Sequence, residues 1–151
     1  VADGTGAATG ELELGLHWRK LVVGWAENGH YAWAEDGASI SLDFDLEGTD
    51  RRLTLRLMAT KELLVAFMTD GHVLKPGQIA LAAAASNAWN TEQLIPVLSV
   101  WDVRGPGPCL AGVCVLPLVC RMTPAEFGAL ASRWAELARQ MFVRCHRVFQ
   151  L

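Results

Sequence analysis

A chain of 151 residues, 52% hydrophobic and 19% charged, is sized for one domain and lies far from the composition of a disordered segment. Its 13 Lys and Arg against 16 Asp and Glu give a formal net charge of −3. With no cationic surplus to neutralise a phosphate backbone, direct nucleic-acid binding is disfavoured.

Residues 1–10 have neither a basic region nor an apolar stretch and read as a leader, disordered or trimmed, which leaves 11–151 as a single domain. From Glu11, Leu14, Trp18, Leu21, Val22 and Trp25 recur at helical spacing. That helix should stop at Asn28-Gly29, where glycine can take the left-handed closing conformation. From Ser39 the period becomes two, with Ile40, Leu42, Phe44 and Leu46 on one side and Ser41, Asp43 and Asp45 on the other. Alternation resumes with Leu53, Leu55 and Leu57 inward, opposite Arg52, Thr54 and Arg56. A two-residue type II′ turn at Gly48-Thr49 would join these strands as a hairpin and set Asp45 against Arg52 and Phe44 against Leu53.

A third strand, Glu62 to Thr69, is apolar on both faces, which implies cover on each side, one of them open to a partner chain. Pro76 and the alanine-rich run Ile79 to Trp89 make a second helix ending near Asn90. Leu94–Val103 and Cys109–Val119 form a second hairpin across Arg104-Gly105-Pro106-Gly107-Pro108. Thr123-Pro124-Ala125-Glu126 is a capping box that starts a long last helix, whose apolar face runs from Phe127 to Cys145. The order is α-β-β-β-α-β-β-α. This predicts an α+β fold in which an antiparallel sheet carries helices packed on one face.

That order, with Asn87-Ala88-Trp89-Asn90 closing the second helix and Pro96 in the strand after it, resembles the bacterial YbjN family from about Leu14 to Phe142. The resemblance implies a fold like that of type III secretion chaperones, small proteins that usually dimerise and hold other proteins. It also implies a regulatory or chaperone-like role. The alanine-rich second helix and the tryptophan-rich first third depart from many relatives, so no relative's partner is carried over.

The residues themselves point away from catalysis. His17, His30, His72 and His146 are widely spaced, and no nucleophile elbow, phosphate loop or His-Glu-x-x-His occurs. Cys145 and His146 are helix neighbours pointing about 100° apart, so they cannot face each other as a nucleophilic pair. Asp43 and Asp45 share a strand face, but the arginines across from them make cross-strand ion pairs the expected role. The four cysteines, Cys109, Cys114, Cys120 and Cys145, lack Cys-x-x-Cys spacing and read as reduced, structural thiols, which favours the cytoplasm.

No cofactor and no metal site is expected. Asn87 and Asn90 read as a structural signature that caps the helix and fixes the next strand, with Trp89 as a core plug. Trp25, Tyr31 and Trp33, clustered where helix gives way to sheet, and Phe149, in the apolar tail Val148-Phe149-Leu151, are candidates for a protein interface. The expected function is a non-enzymatic protein-binding domain acting as a homodimer, with an unidentified protein as further partner and no membrane association, since no apolar run reaches the ~18–20 residues that cross a bilayer. The alternative is a small-molecule-sensing domain with a pocket between sheet and helices; the scarcity of polar groups on the core faces favours protein binding.

Overall fold

The computed structural model describes residues 10–102 and 106–151. The leader read at 1–10 therefore lies outside the described residues apart from Gly10, as do Val103, Arg104 and Gly105 of the second hairpin's connection. In chain order the elements are β1 (Leu12–Glu13), α1 (Leu14–Asn28), β2 (Ala32–Asp36), β3 (Ser39–Asp45), β4 (Arg52–Ala59), β5 (Leu63–Val73), a 3-10 turn (Pro76–Gln78), α2 (Ile79–Glu92), β6 (Val97–Trp101), β7 (Cys109–Pro117), β8 (Arg121–Met122) and α3 (Pro124–Phe149). The expected α+β order holds, with three short strands added. β1 and β8 pair as a separate ribbon, and β2 extends the main sheet to six antiparallel strands in the order β2-β3-β4-β5-β7-β6.

The alternation read from Ser39 to Leu57 is realised in full. Phe44 pairs with Leu53 and Asp45 with Arg52, and Ile40, Leu42, Phe44, Leu53, Leu55 and Leu57 are all buried. The turn itself differs from expectation. Thr49 N donates to Leu46 O (3.1 Å), so the turn is centred on Glu47-Gly48, and Gly48, at φ +79°, occupies its third position. That is the glycine placement of a type II turn rather than II′. The Thr49 hydroxyl also donates to Leu46 O, and it accepts from Arg51 N, which sets the turn one residue earlier than the strand pattern suggests. The II′ arrangement belongs instead to the unexpected hairpin β2–β3, where Gly37 (φ +44°) is the first of two residues between the paired Asp36 and Ser39.

Helix α1 buries Leu14, Trp18, Leu21, Val22 and Trp25 as its spacing requires, but Leu12 and Glu13 precede it as strand. Its end is a correction. Gly29 stays right-handed (φ −85°), and the left-handed residue is His30 (φ +55°). Glycine is needed at 29 for room, because a Cβ there would stand 2.2 Å from the Tyr31 ring.

Helix α2 continues to Glu92, past the expected stop near Asn90, and β6 and β7 are each shorter than the segments read from hydropathy. Of the capping box at α3, the first bond forms, from Glu126 N to the Thr123 hydroxyl (3.1 Å); the reciprocal bond from the Glu126 side chain does not. Of the apolar tail, Val148 is 66% exposed, while the other two residues are packed. Phe149 is still helical and half-buried. Gln150 turns left-handed (φ +57°), and Leu151 folds back until it is 1% exposed.

Candidate interaction surface

Strand register assigns every sheet residue to one of two faces. On the helix side, one row of partners runs Trp33, Leu42, Leu55, Met68, Gly112, Leu98 across all six strands. All but the edge residue Trp33 are buried. Into this face pack Phe127, Trp134, Ala138, Met141 and Phe142 of α3 and the apolar stripe of α1, and Trp25 of α1 donates its indole N–H to Ser132 of α3 (3.0 Å).

Among the described residues the other face carries no helix. Its central row runs Ala34, Ser41, Arg56, Phe67, Val113, Val97, so its character changes from polar on β3–β4 to apolar on β5, β7 and β6. The polar half is internally satisfied. Thr54 donates to Asp43 (2.8 Å), Arg56 to Ser41 (3.4 Å), and Arg52 lies 3.5 Å from Asp45. Asp45 thus has its expected arginine, while the residue opposite Asp43 is Thr54 rather than an arginine.

The apolar half comprises Val65 and Phe67 of β5, Val113 and Val115 of β7, and Val97 and Trp101 of β6. Val97 is 52% exposed, Val115 47% and Trp101 37%. Trp101 is held in place by its N–H bond to Ser99 (2.7 Å) and by edge-to-face contact with Phe67 (5.2 Å between centroids). The double-sided hydrophobicity of the third strand thus has helix cover on one side only. Sequence reading had singled out none of Phe67, Val97, Trp101, Val113 and Val115 as site residues. The available signal was that β6 and β7, like β5, place large apolar side chains at consecutive positions.

The named candidates fall in different places. Trp25 is a core residue, and Tyr31 packs between it and Phe44 in an edge-to-face cluster (5.4 and 5.0 Å). Trp33 sits on the edge strand β2, 37% exposed. Phe149 packs half-buried against the core.

The signature residues have distinct tasks. Trp89 is buried and donates to Pro96 O (2.8 Å). The Asn90 amide donates to Leu98 O (2.8 Å) and accepts from Leu98 N (2.9 Å). Leu98 is at the outer edge of β6, so this side chain occupies the backbone groups that a seventh strand would use. Asn87 is exposed, and its carbonyl accepts from the Thr91 hydroxyl. Neither asparagine is left-handed, so the capping expected of them is replaced by strand fixing through Asn90 alone.

Two clefts open at the rim. One of about 430 Å³ lies between the end of α1 and the start of α3, floored by Trp25 and Tyr31. The other, about 620 Å³, lies between α3 and the end of β3, lined by Asp45, Arg52, Arg139 and Arg147 among others. Arg139 is stacked on the Phe44 ring (5.1 Å). Among the described residues no group of three His, Cys, Asp or Glu side chains could hold a metal ion, and no helix is long and apolar enough to cross a membrane.

All four cysteines are free thiols. Burial pushes the Cys114 thiol up to about 12 and, with the nearby Asp70 carboxylate adding to it, Cys145 up to about 11. Each keeps its proton in the fold above pH 9, where the unfolded chain releases its own. Their contribution to stability is therefore intact below pH 9 and is lost as pH rises through 9 to 12. The urea midpoint should fall steeply from pH 9 to 11, and more shallowly in a Cys114→Ala, Cys145→Ala double variant. Equal slopes would show that these thiols do not govern the alkaline limb.

No protein-family model matches the chain, and no curated protein matches it in sequence. Among solved structures it is similar to the crystal structure of YbjN from E. coli, described as a candidate transcription regulator, with a TM-score of 0.68 at 12% sequence identity, over 85% of this chain and 90% of that one. The α/β order, the capped last helix and the Asn90–Leu98 clasp thus stand within a YbjN-like α+β fold.

Proposed function

We propose that this chain is a non-enzymatic protein-binding domain, chaperone-like or regulatory, which works in the cytoplasm as a homodimer and receives a protein partner on the apolar half of its open sheet face. The observation that carries this reading is the uncovered cluster of Phe67, Val97, Trp101, Val113 and Val115 beside a self-satisfied polar half. Three strands about 20 Å long and about 4.8 Å apart present a platform of roughly 300 Å² in plan. A contiguous apolar patch of that order matches the largest patch on a typical monomer, which is often functional, and a tryptophan fixed by a hydrogen bond at the patch is an anchor of the kind found at binding hot spots.

The test keeps the fold and changes the patch. Val97→Lys and Val115→Lys alter side chains that are 52% and 47% exposed on the open face, so the denaturant midpoint should stay close to that of the parent. Fluorescence of a hydrophobic dye bound to the folded protein should drop several-fold, and proteins that co-purify with the parent from its host should be lost. Undiminished dye binding and an unchanged set of co-purifying proteins would place the interaction surface elsewhere.

A further inference from the structure

We propose that the seam of the homodimer is the free edge of β2, with the two-fold axis passing through Ala34, so that two six-stranded sheets join as one. This rests on the homodimer reading above and names the surface that makes it.

The sheet has two edges, and the chain treats them differently. At β6 the outward backbone groups of Leu98 are taken by the Asn90 amide. At β2 the only strand partner among the described residues is β3, and all five residues, Ala32 to Asp36, are exposed. A long unprotected edge is a site for strand addition. One edge is clasped at Leu98, and the other is open along its whole strand.

The register decides what fits there. In a two-residue hairpin the closing pair exchanges hydrogen bonds, and Asp36–Ser39 is that pair. Ladder bonds alternate, so Ala32, Ala34 and Asp36 bond inward to β3, while Trp33 and Glu35 turn their N–H and C=O groups outward. These two residues are placed symmetrically about Ala34. An antiparallel copy rotated about Ala34 therefore pairs each Trp33 with the partner's Glu35 and satisfies the outward groups of both strands.

Charge agrees with this register. Glu35 faces tryptophan and Asp36 faces Ala32, so no like charges stand opposite one another, and the axis itself is occupied by two alanines. On the helix side, Arg19 binds Glu35 and donates to Gly37 O (2.6 Å), which fixes the hairpin to α1. That guanidinium also lies over the Trp18 ring (4.7 Å), on the face that the partner's Trp33 would share. Because the two-fold axis is perpendicular to the joined sheet, both open faces point the same way. The apolar halves remain free for a partner protein.

At the axis the two Ala34 form a pair without mutual hydrogen bonds, whose Cα atoms stand about 4.5 Å apart, within the span of a disulfide of about 4.4–6.8 Å. Ala34→Cys should therefore cross-link under mild oxidation to a species of twice 16.4 kDa. The parent, and Ala32→Cys, whose two thiols would be offset by four residues or about 13 Å, should not cross-link. Ala34→Asp, which sets two carboxylates opposite each other on an exposed face, should shift light-scattering mass from dimer to monomer with an unchanged circular dichroism spectrum. A parent that is dimeric while Ala34→Cys fails to cross-link and Ala34→Asp stays dimeric overturns this seam but not the homodimer. A parent that is monomeric throughout the micromolar range overturns both, and leaves partner binding on the open face to its own test.

Discussion

Replacing Arg51 by alanine should destabilise the fold by about 3–5 kcal/mol, the usual cost of removing one partner from a buried ion pair. Arg51 follows the β3–β4 turn, and one of its nitrogens, Nη1, donates both to Asp70 at the far end of β5 (3.1 Å) and to the carbonyl of Leu151 beyond α3 (2.7 Å). The Asp70 side chain is 6% exposed, and its other oxygen accepts from His72 N (3.0 Å). Without the guanidinium, a carboxylate is left in the interior with one backbone donor. Urea unfolding of Arg51→Ala measures the loss. The double variant Arg51→Met, Asp70→Leu should recover most of it, because removing both charges removes the uncompensated one. A loss under about 1 kcal/mol in the single variant would mean that the pair behaves like a surface salt bridge.

The second large effect is expected at Asn90. Asn90→Leu removes two hydrogen bonds to the backbone of β6, a net loss of about 1–3 kcal/mol, and it also frees an edge. Unfolding should come at lower urea, and the variant should self-associate with concentration where the parent does not gain mass beyond its own state. Asn90→Asp keeps an acceptor for Leu98 N but sets a carboxylate against Leu98 O, so it should lie nearer to Asn90→Leu than to the parent. A soluble, full-stability Asn90→Leu would show that the helix packing of α2 alone holds the edge.

How far the sequence could be read depends on where residues sit. The β3–β4 hairpin was legible because one face is buried and the other wet, which writes a period of two into the chain. The helices α1 and α3 were legible for the corresponding reason at period 3.6. β2 was not. Its residues Ala-Trp-Ala-Glu-Asp are exposed on both faces, so nothing forces an alternation, and with β2 unseen, Gly37 could not be recognised as a turn.

The turn at Glu47-Gly48 was displaced because strand pattern fixes pairing but not turn chemistry, which the Thr49 hydroxyl decides. The burial of Leu151 was not legible because it depends on a left-handed residue, Gln150, that carries no glycine-like signal. Of the candidate surface, the double-sided apolar character of β5 was visible in advance. That β6 and β7 join it in one patch follows from strand order, which a linear pattern does not contain. The asparagine pair was recognisable as structural, and Asn90 does fix the next strand as expected; that Asn87 takes no part in it is not written in the sequence.

The bond between Trp25 and Ser132 joins positions 107 residues apart, and it sets an order of events in synthesis. The first helix emerges with Trp18, Leu21 and Trp25 on one side, yet part of their cover is α3, the last element of the fold to be made. Contacts of such long sequence separation form late and slowly, and apolar surface exposed in the meantime is prone to aggregate. While the chain is being translated, α1 therefore waits through the production of the entire sheet. A chain cut before Pro124 would leave both the first helix and the helix-side face of the sheet without the cover that α3 gives them.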